Sequence, residues 1–167
     1  MPHSQYRFLK TANISSSLLI DETVIEFCKM STKAVKPCDG SILVAKDGGG
    51  QGLGECCIYE SRPGVIDYIS DGILCLEFEN DADRNYVFGI LKSRHFKEYI
   101  DSATPGGSTL RHSKLLTLDY PIPWSEDTEK RQTISELVGR LLDNERTKKA
   151  MFRDTINDMV NDIILCG

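Results

Sequence analysis

Short apolar or alternating runs dominate the first half of the chain. Tyr6-Arg7-Phe8-Leu9, Thr23 to Phe27, Ser41 to Ala45, Glu55 to Tyr59, Val65 to Ile69 and Ile73 to Phe78 have strand length and are set apart by Gly, Pro, Asp and Asn. They predict a sheet-rich core. Pro37-Cys38-Asp39-Gly40 has turn chemistry, and the glycine tract Asp47 to Gly54 joins two of the best runs as either a hairpin tip or a binding loop. From Asp83 the period becomes helical. Val87, Ile90 and Leu91 share one face, and Phe96, Tyr99 and Ile100 share the face of a second short helix, with Lys92-Ser93-Arg94-His95 between them. Ala103 to Thr109 holds a Pro and paired Gly that preclude either regular element, and Leu115 to Leu118 reads as a last strand.

Pro121-Ile122-Pro123 is a stiff linker that ends this first unit. Ser125 can cap a helix beginning there, Glu126, Asp127 and Glu129 suit the positive end of its dipole, and only Gly139 interrupts residues 126–166. Ile134, Val138, Leu141 and then Phe152, Ile156, Met159 and Ile163 recur three or four apart, separated by the polar stretch Asn144 to Lys149. A helix of about 60 Å overhangs a unit roughly 35 Å across. Its distal stripe must then fold back at Asn144 or pair with another chain, and these seven residues are the candidate dimerisation seam. The expected class is α+β, with a sheet-rich first unit at 1–122 and a long helical segment at 123–167.

The chain of 167 residues, 40% hydrophobic and 27% charged, has the composition of an ordinary globular domain. No apolar run approaches the length of a membrane span and the first residues lack a secretory pattern, so a cytoplasmic address is expected. Six cysteines without a Cys-x-x-Cys or Cys-x-x-His pair predict thiols and no metal site, with Cys56, Cys57 and Cys75 acting as small hydrophobes. The glycine tract lacks a Gly-Lys-Ser/Thr end and returns to a strand, which disfavours a nucleotide loop; it remains a structural hairpin or a loop approaching some polymer's backbone. No catalytic constellation is found among the histidines and paired carboxylates, so neither a catalytic residue nor a cofactor is assigned.

The net charge of -5 hides an asymmetry: residues 84–114 hold 6 Lys/Arg against 2 Asp/Glu, whereas residues 1–83 hold 7 against 13. Lys92, Arg94, His95, Lys97, Arg111, His112 and Lys114 flank the Pro-Gly-Gly loop and could share one surface. That surface is either a solvated face or a phosphate-binding and guanine-reading one.

The order of features carries more than any one of them. Tyr6 to Ile14, Asp39 to Gly48, the helical pair, Gly107-Ser108-Thr109, and Ile122-Pro123 leading into a long helix together resemble one half of a type I restriction-modification specificity subunit, over nearly the whole chain. The chain departs from that pattern at Trp124 to Asp127 and Lys130 to Gln132, where the family has a proline-rich step and a Glu-Gln pair. The resemblance implies a non-catalytic reader of double-stranded DNA that positions methyltransferase and restriction subunits, with S-adenosylmethionine on the partner methyltransferase. It also implies that the loop carrying Lys46, Asp47, Gly48 and Gln51 and the stretch around Ser108 and Thr109 lie near the DNA. A half-sized chain would then act as a homodimer. Lys46, Arg94 and Arg111 are the leading contacts, each a suitable donor at a loop or helix end. Two other readings stand beside this one: a detached recognition domain of a single-chain adenine methyltransferase, and a helix-mediated interaction module without a DNA role.

Overall fold

The computed structural model describes residues 5–30, 33–48, 52–103, 111–112 and 119–165. Its strands are β1 (Tyr6–Leu9), β2 (Glu26–Phe27), β3 (Ile42–Ala45), β4 (Asp47–Gly48), β5 (Cys56–Ile58), β6 (Ile66–Ile69), β7 (Ile73–Leu76) and β8 (Arg111–His112). The helices are α1 (Asp81–Leu91), α2 (Arg94–Ala103) and α3 (Thr128–Leu165), and the class is α+β.

β3 is apolar at every position because both its faces are covered. It is the centre of an antiparallel sheet ordered β5-β3-β7. Ile42 and Val44 turn to the helices, while Leu43 and Ala45 turn to a second apolar cluster with Leu9, Ile20 and Ile69. The neighbouring β5 repeats the division: Cys56 and Ile58 belong to the helix side, Cys57 to the other. Both cysteines are fully buried, as their apolar surroundings predict. The second sheet is β2-β1-β6, with β1 antiparallel to β2 and parallel to β6.

The expected run Thr23 to Phe27 shrinks to Glu26–Phe27 for a local reason. Asp21 accepts from the Thr23 amide and hydroxyl, and the Asn13 amide donates to the Asp21 and Val24 carbonyls, so turn bonds occupy the backbone that a strand would need. The expected strand Leu115 to Leu118 lies outside the described residues.

Asn80 caps α1 by accepting from the Asp83 amide at 2.8 Å. Tyr86, Val87, Phe88 and Leu91 then face the sheet and α3. The largest contact between elements is α1 on α3. Gly89 permits it: a Cβ there would stand 3.0 Å from Ile134 and 3.2 Å from Val138.

α3 is capped by Asp127, whose carboxylate accepts from the Glu129 and Lys130 amides, whereas the hydroxyl of the expected cap Ser125 accepts from the Asp127 amide, before the helix begins. Val138 and Leu142 complete the same core as α1 and α2. The proximal part of α3 thus shares one core with residues before 122. The linker is docked as well, since the Tyr86 hydroxyl donates to the Pro123 carbonyl at 2.6 Å. The helix runs unbroken through Asn144. Its polar stretch is no hinge but the place where it meets the domain's polar rim, with Arg146 on Glu60 at 2.5 Å and Lys149 on the Ile20 carbonyl at 2.9 Å. Residues 150–165 continue for about 24 Å.

Candidate nucleic-acid interface

Two of the segments singled out by sequence are brought together by the backbone. β4 pairs antiparallel with β8, placing Asp47 opposite His112 and Gly48 opposite Arg111. The other arm of the glycine tract returns beside it: the Gly54 amide donates to the Ala45 carbonyl at 2.9 Å. Gly54 has φ +79°, and a Cβ there would stand 3.0 Å from Ile100 of α2. This glycine serves a close approach within the fold, to α2.

The break between α1 and α2 sets the third segment. Ser93 accepts from the Phe96 amide at 3.4 Å, Phe96 and Ile100 are buried, and Arg94, His95 and Lys97 are left exposed in the first turn. That turn holds no acidic residue. Cations at the positive end of a helix dipole work against helix stability, so local helix energetics does not explain them. The Arg94 side chain is 89% exposed, and its ion pair with Glu98 at 2.6 Å is of the exposed i,i+4 kind that contributes at most about 0.5 kcal/mol. A cleft of about 410 Å³, beside the close approach of Gly54 to Ile100, is lined by Gly54, Glu55, Ser93, Phe96 and Lys97. Its rim is mixed in charge, since Glu55 and Asp101 face Lys92 and Lys97.

Lys92, one of the expected DNA contacts, is engaged within the fold. Its ammonium lies 3.0 Å from the Ser17 carbonyl, 3.3 Å from that of Ser16 and 3.7 Å from the Glu55 carboxylate, and sits over the Phe88 ring. The lysine ties the Ser15 to Ser17 loop to the end of α1 and has little left to offer a ligand. Gln51, Ser108, Thr109 and Lys114 lie outside the described residues, and Asp47, Gly48, Arg111 and His112 are placed by their backbone alone.

The seam residues divide by position on α3. Ile134 and Val138 pack against α1 of the same chain, Val138 buried and Ile134 half-buried. Leu141, Phe152 and Ile156 are exposed, joined by Leu137 and Met151 that the heptad reading did not include. Met159 and Ile163 lie on the helix beyond.

Sequence reading also missed a buried ionic group on the opposite sheet. Arg7 forms a two-pronged pair with Asp67 at 2.6 and 2.7 Å, Tyr59 donates to Asp67 at 3.0 Å, and Glu22 accepts from Arg7 at 3.1 Å. The Asp67 carboxylate raises the Arg7 pKa, and burial, reinforced by Asp67, pushes the Tyr59 phenol up.

No protein-family model matches the chain, and no curated protein matches it. No helix among the described residues is long and apolar enough to cross a membrane.

Proposed function

We propose that the chain is a non-catalytic, sequence-specific reader of double-stranded DNA, acting as the specificity subunit of a type I restriction-modification complex. The observation that carries this reading is the ladder between β4 and β8, which sets the start of the glycine tract beside Arg111 and His112. The exposed cations Arg94 and Lys97, with His95 between them, at the start of α2 support it, because a helix N-terminus bearing cations favours phosphate. The subunit would position methyltransferase and restriction partners, with S-adenosylmethionine held by the methyltransferase. Its cytoplasmic address is part of the same proposal. Two copies would pair through the exposed positions Leu141, Phe152 and Ile156, extended by Met159 and Ile163.

The test is a gel-shift series with wild type, Arg94→Ala and Arg111→Ala, with and without the methyltransferase, at two salt concentrations. Each variant should weaken binding, and loss of one phosphate contact should lower the salt slope by about 1. Unchanged binding in both removes this surface from the proposal.

The second reading, a helix-mediated interaction module, draws support from the exposed Met151, Phe152 and Ile156 and from the net charge of -5. Failure to retain duplex DNA under any partner condition, with a dimer intact, would favour it.

A further inference from the structure

The far end of β5 carries a second cationic group, separate from the candidate DNA face. Arg146, Lys149 and Arg153 lie three and four apart on α3 and so share a face. That face meets Arg62, in the turn leading to β6, across a cavity of about 490 Å³ that Glu22 and Glu60 also line. Four cations there meet two carboxylates, in a chain whose acids outnumber its bases.

Both carboxylates are already engaged. Glu60 accepts from Arg146 at 2.5 Å, and Glu22 is shared between Arg7 and Arg62. Lys149 donates one hydrogen bond to the Ile20 carbonyl, and Arg153 forms no ion pair with the side chains described up to residue 156. Arg62 is depressed below its ordinary pKa by burial first, and then by the charges of Arg7 and Arg153. Arg62 has only a share of Glu22, which also serves Arg7, so an anion that accepts from the forks of both Arg62 and Arg153 would add an acceptor that the cavity's own carboxylates do not supply.

We propose that this cavity is a binding site for a phosphate group, held between the guanidinium groups of Arg62 and Arg153 with Lys149 behind them. A phosphate offers oxygens to two forked donors at once, which a halide cannot. The site does not rest on the DNA reading. It lies beyond Ile58 of β5, whereas the glycine tract leaves β3 after Ala45 and returns through Gly54 to the opposite end of the same strand pair.

The phosphate could belong to a small ester or to a nucleic-acid backbone, and one experiment separates the two. Inorganic phosphate and phenyl phosphate are titrated into the full chain at constant ionic strength, followed by thermal melting and by ³¹P line broadening. Arg153→Gln removes an exposed cation without touching the core, and Lys130→Gln is a control on the same helix. The site predicts saturable binding by wild type and by Lys130→Gln, and at least tenfold weaker binding by Arg153→Gln. Competition by a short duplex would assign the phosphate to a backbone, and its absence would assign it to a small ester; both agree with the site. No saturable binding by wild type overturns the proposal, as does equal loss in Arg153→Gln and Lys130→Gln.

Discussion

Arg7 and Asp67 are among the most buried charges in the chain, with side chains 7% and 0% exposed. They join two parallel strands, β1 and β6, at the register where the residues face each other. Removing Asp67 takes the two-pronged acceptor from Arg7 and leaves it only the half-buried Glu22, and breaking a buried pair typically costs about 3–5 kcal/mol. Asp67→Asn should lower the unfolding free energy by that order in urea denaturation, and Arg7→Met with Asp67→Leu should lose less than Asp67→Asn alone. Nothing in the sequence flagged the pair: Arg7 stands at a polar position of an alternating strand, which normally faces water, and its partner is sixty residues away. The cysteines were legible because an apolar run needs no partner to be read. Burial raises the thiols of Cys56 and Cys57 from 9.0 to about 12, so both remain protonated in the fold while the unfolded chain ionises earlier. Their contribution to stability is complete below pH 9 and lost as pH climbs toward 12. Iodoacetamide should label the exposed Cys38 well before Cys56 or Cys57 in the native protein, read by mass spectrometry.

At the scale of elements, α3 shows what periodicity can and cannot specify. Spacings of three and four located the helix to within a few residues, yet Leu141 and Leu142 fit such a pattern equally well from Val138. The tertiary neighbour decides: α1 selects the face holding Val138 and Leu142, leaving Leu141 outward. Leu142→Ala should destabilise the domain by about 2–5 kcal/mol, and Leu141→Ala should change monomer stability by no more than about 0.5 kcal/mol. Gly54→Ala should cost more than Gly64→Ala in thermal melts. Both glycines have positive φ, but only at Gly54 does the added methyl meet a side chain, 3.0 Å away. The polar stretch Asn144 to Lys149 was legible as an interruption and not as a contact, because Glu60 and the Ile20 carbonyl lie far back in the chain. Of the candidate DNA face, the glycine tract and the basic segment were visible in sequence. The β4–β8 pairing and the internal engagement of Lys92 were not, since each depends on contacts made across more than sixty residues.

For the whole molecule, charge is the test of the functional reading. A chain with net charge -5 repels duplex DNA at long range, so its own binding should be weak and steeply salt-dependent, and stronger beside a partner that supplies more cations. Such a protein succeeds as a reader only if it discriminates among sequences, which a generic anion-binding face does not. Selection from a pool of random duplexes, using the chain together with its methyltransferase, tests this most directly. The account predicts enrichment of one defined sequence, lost when Arg94 and Arg111 are both replaced by Ala. A pool that emerges with its starting composition, from a complex shown to be assembled, would contradict it.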